Sequence, residues 1–339
     1  MLTLGIETSC DETSVALLRG ENEIVANLIA SQIEAHQLFG GVVPEIASRK
    51  HLEILNPLLA QLQRECDLEW RDLDLIAVTH GPGLVGALLV GVAAAKALSL
   101  AARVPCVAVN HVEGHICSTL LQQPDLRFPM LCLVVSGGHS DLILMRAPGV
   151  YARLGRTRDD AVGEAFDKVA RALQLPIPGG PNLEKIARDG DDRAFKFGVS
   201  NLEPSFDFSF SGLKTAGAQA AKKHPERVAD IAASFQRAAV TQLCQNIARA
   251  IHEYSIEEPI QTLGLCGGVA ANNALRAALQ EVARNHNINF VVPPPILCTD
   301  NAAMIANAGR LRWLRKSESE RKFSVSQLGF EAHSQLPVA

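Results

Sequence analysis

The sequence predicts an α/β protein built from two related halves, and three observations carry this. Short runs of apolar and β-branched residues alternate with stretches in which leucines recur at helical spacing. Several of the apolar runs end in glycine-bearing turns that open directly into helix-forming segments. The strand, polar turn and returning strand of Leu2–Leu18 also recur in Leu131–Met145, as in a diverged internal duplication. A length of 339 residues suits two domains, since domains cluster near about 100–150 residues.

Composition narrows the function classes. With 47% hydrophobic and 20% charged residues, the chain can bury a sizeable core. A net charge of −4 excludes a whole-molecule basic field, so a polynucleotide partner must be held by a local patch or another subunit. The cysteines at 10, 66, 106, 117, 132, 244, 266 and 298 are scattered without a Cys-x-x-Cys pair, which suggests neither a disulfide framework nor a cysteine zinc site. Glu7, Asp11 and Glu12 stand where a leader would be basic and then apolar, so the cytoplasm is the expected compartment.

Taken in order, Leu2–Ile6 is the first strand. A polar stretch, Glu7–Ser14, leads into the apolar return Val15–Leu18. Thr, Ser and backbone N–H groups in such a turn can hold phosphate oxygens, although an ordinary solvated turn has the same composition. Residues 31–63 read as helical, with Leu52, Leu55, Leu58, Leu59 and Leu62 on one face and Pro57 as a kink or a new start. Leu73–Thr79 is a strand that runs into His80-Gly81-Pro82-Gly83-Leu84-Val85-Gly86, formally a G-x-G-x-x-G turn. A nicotinamide site is not expected there, because the next strand, Val104–Val109, closes on Asn110 rather than on an acid. Leu84–Ala102 approaches membrane-span length, but Lys96 interrupts it and Gly86 and Gly91 suit close packing, so a buried helix against a sheet is expected.

Gln122–Asp125 is the best linker candidate. Leu131–Val135, the turn Ser136–Ser140 and Asp141–Met145 then repeat the opening pattern, and Gly163–Leu173 follows as a helix. Pro176–Asn182 reads as a rigid loop and Arg188–Thr215 as an irregular stretch. Phe206, Phe208 and Phe210 there fit an extended segment packing on one face. Ile231–Tyr254 is a long amphipathic helix, and Thr262–Cys266 a strand ending in Gly267–Asn273, where glycines allow a nucleotide to approach the backbone. Ile288–Val292, three prolines and Cys298–Asn301 precede a closing helix, with Asp300 at an N-cap position. Arg310, Arg312, Arg315, Lys316, Arg321 and Lys322, against Glu318 and Glu320, form the best local anion patch.

The chemistry centres on Asn110-His111-Val112-Glu113-Gly114-His115. Histidines four apart share one helix face. If the helix begins at the end of a strand, both imidazoles converge where open α/β sheets place ligands, and neutral imidazole suits zinc or iron. Capping by His111 and a solvent-facing His115 is the competing reading.

Seven blocks in a fixed order resemble one family. They are Gly5–Thr13, Gly81–Gly83, Asn110–His115, Val135–His139, Phe210–Ala216, Gly267–Asn272 and Thr299–Asn301. The family is that of the tRNA adenosine threonylcarbamoyltransferases, once described as sialoglycoprotein endopeptidases. The resemblance implies two ribonuclease-H-like lobes of the actin/sugar-kinase/Hsp70 superfamily around a nucleotide cleft. Residues 1–122, completed by a C-terminal helix at about 300–339, would form the first lobe and 123–299 the second. It implies a divalent metal, iron or zinc, on His111, His115 and Asp300. Ligand contacts would fall at Val134, Val135, Ser136, Gly137, Gly138, Asp167, Gly180, Glu184 and Asn272, and Asp11 and Glu12 would be linked to activity. Archaeal and eukaryotic members carry a tyrosine ligand at the position of Val134, which leaves one coordination position to water or substrate.

The implied reaction moves the threonylcarbamoyl group from threonylcarbamoyl-AMP to N6 of adenosine 37 of tRNAs reading codons that begin with adenine. The adenylate, AMP, ATP or ADP would occupy the cleft. The implied partners are tRNA, a shorter inactive paralogue, a small P-loop ATPase and a synthase supplying the adenylate, with no membrane involved. Two other activities compete. A metallopeptidase places its glutamate directly after the first histidine, whereas Val112 stands there and Glu113 comes one later. A sugar-kinase-like phosphotransferase fits the lobes and leaves the histidines without a role.

Overall fold

The computed structural model describes residues 1–338 apart from 122, 124, 125 and 257, so most of the linker Gln122–Asp125 lies outside the described residues. Two compact units divide the chain, one of residues 1–125 with 299–339 and one of 126–298.

The first unit runs β1 (Leu2–Glu7), β2 (Glu12–Arg19), β3 (Glu23–Ser31), α1 (Ile33–Gln37), α2 (Pro44–Glu65), β4 (Leu75–Gly81), α3 (Val85–Ala102), β5 (Cys106–Asn110) and α4 (His111–Ser118). The second runs β6 (Met130–Val135), β7 (Ser140–Ala147), β8 (Val150–Arg156), α5 (Val162–Ala172), α6 (Gly179–Ala187), α7 (Ser211–Lys223), α8 (Val228–Tyr254), β9 (Thr262–Cys266), α9 (Asn273–Asn285), β10 (Asn289–Val291) and α10 (Pro295–Cys298). The chain then returns to the first unit as α11 (Ala302–Leu314).

Both sheets have the same topology. Their orders are β3-β2-β1-β4-β5 and β8-β7-β6-β9-β10. In each, the first three strands of the unit pair antiparallel and the last two run parallel to the first. The duplication read from two hairpins therefore extends to five strands in each half.

Strand alternation in the first unit explains its layers. Leu4 and Ile6 of β1 pack with Leu55, Leu58 and Leu62 of α2 and Val92 and Ala95 of α3. Ala77 and Val109 point the other way, onto Met304, Ile305 and Ala308 of α11. Each fully buried leucine or isoleucine contributes about 1.5–3 kcal/mol. The long alanine-rich helix α11 is buried almost all round, which suits a helix enclosed by its own unit.

Several expectations need correction. The helical stretch 31–63 is two helices, and α2 runs through Pro57, whose exposed position lets water take the freed carbonyl. Leu52 lies on the outer face of α2, 64% exposed. Only one face of α3 is buried; Val85, Leu89 and Leu100 are about half exposed. By length and composition α3 could cross a membrane, but it packs on α2 and β4. Half of the expected loop Pro176–Asn182 is the first turn of α6, where Pro181 is tolerated because the first N–H groups of a helix have no partner within it. The irregular stretch ends at Ser211, not Thr215, and its Phe206, Phe208 and Phe210 are core residues. The edge strands β3 and β8 were not read from the sequence. Asp300 is not the cap of the closing helix: Asn301 is, its Oδ1 accepting from the Met304 N–H at 3.0 Å.

Candidate active site

Parallel β4 and β5 end side by side at Gly81 and Asn110. Asn110 Oδ1 accepts from the N–H groups of Val112 and Glu113, at 2.9 and 3.2 Å, and so starts α4 at once. His111 and His115 become the first and fifth residues of that helix, and their rings lie 4.8 Å apart. Asp300, released from capping, faces both, with Oδ1 3.5 Å from His111 Nε2 and 3.1 Å from His115 Nε2. Candidate ligand atoms of the three residues lie within 4.8 Å of one another.

His115 is completely buried, yet neither ring nitrogen has a hydrogen-bond partner among the described residues. Its Nε2 is near Asp300 without being aligned to it. A buried unsatisfied polar atom is costly, and a cation between the two imidazoles and the carboxylate would satisfy it. Two neutral histidines and one acid leave open positions, as a catalytic metal centre requires. The donor set fits the implied metal.

Sequence reading missed the groups behind these ligands. Glu7 ends an otherwise apolar strand and is wholly buried. Its Oε1 accepts from the Ser9 N–H at 2.5 Å, and its Oε2 from Thr79 Oγ1 at 2.6 Å and His111 Nδ1 at 3.0 Å. Because a carboxylate only accepts, His111 keeps a proton on Nδ1 toward Glu7, so that when the ring is neutral it is Nε2, on the side of Asp300 and His115, that is free to ligate. Ser9 Oγ sits 3.1 Å from the same Nδ1. Burial disfavours charge on His111, but Asp300 and Glu7 on either side hold its proton well above the usual imidazole range. Burial would likewise raise Asp300, and the two histidines instead hold it well below its ordinary value. A lone acid closing an apolar strand was the signal that could have found Glu7.

Asp11 and Glu12 stand in the turn between β1 and β2, beside Ser9. Burial, with the charges of Asp300 and Asp11, pushes Glu12 up to about 9. Glu113 is 2% exposed, with Oε2 on Arg312 Nε at 2.5 Å. Arg312 also donates to the Ala108 carbonyl, and Arg310 is buried against Asn307. Both arginines therefore leave the expected anion patch. Arg315, Arg321 and Lys322 are exposed and Lys316 partly so.

The expected ligand positions all lie in the second unit. Val134 and Val135 are 0% exposed and aliphatic, so only backbone is available there. In the turn after them, Ser136 Oγ accepts from the N–H groups of Gly138 and His139 at 3.3 and 3.1 Å. Space is open above Gly137 and Gly138. Gly267 takes φ +89 against the Val135 carbonyl, where no side chain fits. Asp167 Oδ1 accepts from the Gly180 N–H at 3.0 Å, and Glu184 Oε1 from Asn273 N and Nδ2 at 3.0 and 2.8 Å. Asn272 caps α9 and donates to Gln236 Oε1 at 2.9 Å. Gln236 in turn lines a cavity of about 620 Å³ with Ala187, Val240, Ala274 and Ala278.

The family profile described as tRNA N6-adenosine threonylcarbamoyltransferase (TsaD) matches residues 23–307. A relative of that name from Desulfitobacterium hafniense is 51% identical over 319 residues, 92% of each chain. The chain belongs to the tRNA N6-adenosine threonylcarbamoyltransferase family. Another relative of the same name, from Symbiobacterium thermophilum, is 48% identical over 316 residues, again 92% of each chain. Among solved structures, full-length HypF in a phosphate- and nucleotide-bound form matches with a TM-score of 0.61 at 11% identity. That match covers 93% of this chain and 47% of HypF. The activator of 2-hydroxyisocaproyl-CoA dehydratase from Clostridium difficile, with bound ADPNP, matches at 0.52 and 14% identity, covering 94% and 98%. These likenesses show a shared α/β fold.

Proposed function

We propose that this chain transfers the threonylcarbamoyl group of threonylcarbamoyl-AMP to N6 of adenosine 37 in tRNAs reading codons that begin with adenine. The observation that supports this most is the donor set of His111, His115 and Asp300 beyond the end of β5, in a chain of this family. The acyl group arrives activated, so no nucleophile–base pair is required. The N6 amine bonds to the carbamoyl carbon, the bond from that carbon to the phosphate oxygen breaks, and AMP leaves with the electron pair while the amine gives up a proton. Asp11 and Glu12 are the candidates to receive that proton.

His111, His115 and Asp300 would hold a divalent cation, Fe²⁺ in the first place and Zn²⁺ in the second, which supplies Lewis acidity when bound. The rest is positioning. Glu7 and Ser9 fix the His111 ring. Ser136–Gly138, Asp167, Gly180, Glu184 and Asn272 hold the adenylate, with its adenosine part in the cavity beside Gln236.

The partners in this reading are tRNA, a shorter inactive paralogue, a small P-loop ATPase and an upstream synthase, all in the cytoplasm. A peptidase is disfavoured because Glu113, its general base, is committed to Arg312. A sugar kinase would leave the buried donor set without a role.

The test incubates this chain and its partners with the synthase, threonine, bicarbonate, ATP and unmodified tRNA, followed by mass spectrometry of the digested tRNA. Threonylcarbamoyladenosine is expected. Its absence in a mixture that a known family member completes would overturn the assignment.

A further inference from the structure

Residues 330–337 lie along the ends of β4 and β5 in the first unit. His333 N–H donates to the His80 carbonyl at 2.7 Å, and Gly83 N–H to the Ser334 carbonyl at 3.3 Å. His80 Nδ1 is 3.0 Å from the Glu331 carbonyl. Lys96 Nζ donates to the Phe330 carbonyl at 2.6 Å and sits 4.6 Å from the centre of the Phe330 ring. A side chain on Gly81 would collide with the His333 carbonyl. Most of these contacts are to backbone.

The last contact reaches the metal donors. Asn110 is 0% exposed, and its Nδ2 donates to the carbonyls of Leu336 and Pro337 at 3.0 and 3.1 Å. Its Oδ1 simultaneously accepts the two N–H groups that open α4. Two donors and two acceptor sites are all that an asparagine amide has, and here every one is used. The amide cannot turn without losing bonds on both sides. It starts a helix of only eight residues, too short to be stable alone, whose first and fifth residues are His111 and His115.

We infer that residues 330–337 are a clamp which, through Asn110, presets α4 and its two histidines for metal binding. This makes Asn110 and the clamp backbone positioning groups. The inference rests on reading His111, His115 and Asp300 as metal donors. The clamp's bonds described above are to His80, Gly83, Lys96 and Asn110, so its effect on affinity passes through the helix start.

The test uses three full-length variants. Asn110→Ser keeps a capping oxygen and loses the amide nitrogen. His333→Pro removes the N–H given to His80, and His333→Ala keeps it. Zn²⁺ affinity is measured by competition with a chromophoric chelator, alongside hydrogen exchange of the peptide covering 329–338 and far-UV circular dichroism. In Asn110→Ser the His333 amide should exchange faster, and His333→Pro removes that amide outright. Zn²⁺ should bind about 10–100-fold more weakly, as for lost outer-sphere groups, with the helical signal unchanged and His333→Ala matching wild type. Faster exchange with Zn²⁺ affinity within twofold of wild type would overturn the clamp, as would an Asn110→Ser clamp that stays protected. Wild-type protein that binds no Zn²⁺ would defeat the donor-set reading instead.

Discussion

Replacing Glu7 by glutamine is nearly isosteric and separates shape from proton placement. The wild-type carboxylate accepts from three donors, Ser9 N–H, Thr79 Oγ1 and His111 Nδ1. Glutamine supplies one accepting oxygen and one NH₂. The Ser9 and Thr79 donors then compete for the oxygen, and the NH₂ is left facing His111. The ring meets it by accepting on Nδ1 and moving its proton to Nε2, the atom aimed at Asp300. A protonated Nε2 is no ligand. Loss of an outer-sphere carboxylate costs about 10–100-fold in metal affinity, which is about 1.4–2.7 kcal/mol. Removing the buried charge offsets the weakened hydrogen bonds, so the melting temperature should move little. Zn²⁺ titration of wild type, Glu7→Gln and His111→Ala should rank them in that order of decreasing affinity. A folded Glu7→Gln protein that binds Zn²⁺ as tightly as wild type would refute the tautomer argument.

Four further outcomes are expected. His115→Ala should abolish stoichiometric Zn²⁺ binding and lower stability, since it empties a buried site and takes a positive partner from Asp300, and calorimetry with a thermal melt reads both. Asp141 in β7 is raised to about 6 by burial, only partly offset by Arg153 and Arg156. A folded-state value above the unfolded one means stability falls as pH rises from about 4 to 6, a penalty of roughly 3 kcal/mol that is complete above pH 6. Asp141→Asn should therefore raise the melting temperature at pH 8 and not at pH 4. Reversing Arg315, Lys316, Arg321 and Lys322 to glutamate should weaken tRNA binding and flatten its salt dependence by somewhat under one log–log unit per lost phosphate contact. Arg312→Ala should instead cost stability, on the order of 2–3 kcal/mol, by stranding buried Glu113.

The parts legible in the sequence were those with a strong local signal. β1, β4, β6 and β9 are central, β5 is an edge strand almost as deeply buried, all are apolar, and each ends at or just before a polar residue or a glycine. β3 and β8 lie at sheet edges with mostly half-exposed or exposed residues, among them half-exposed Asn27 and exposed Arg153 and Arg156. Their hydrophobic period is correspondingly faint. Asp300 and Asn301 are adjacent and both are good caps, so sequence could not divide their roles; tertiary packing gives the cap to Asn301 and the donor set to Asp300. Arg310 and Arg312 looked like surface charge because the partners that hold them, Asn307, Glu113 and the Ala108 carbonyl, come together only when α11 lies against α4.

The turn that carries Asp11 and Glu12 shows how these levels combine. Its three successive carbonyls are held by three different parts of the first unit. Ser9 accepts from the Leu84 N–H at 2.8 Å, where α3 begins. Cys10 accepts from His51 Nε2 of α2 at 3.0 Å, and Asp11 from the Gln32 N–H at 2.9 Å, just ahead of α1. His51 is completely buried and its Nδ1 accepts from Thr13 Oγ1 at 2.8 Å. Since Nε2 meets a carbonyl, that nitrogen carries the proton, and burial holds His51 below the usual imidazole value, in its neutral form. The next residue, Leu52, points outward on the apolar face of α2 and α3. A displacement of α2 or α3 against the sheet must therefore move the Ser9–Asp11 turn, and Ser9 lies against His111. The outer helices and the donor set are joined through this turn by these hydrogen bonds.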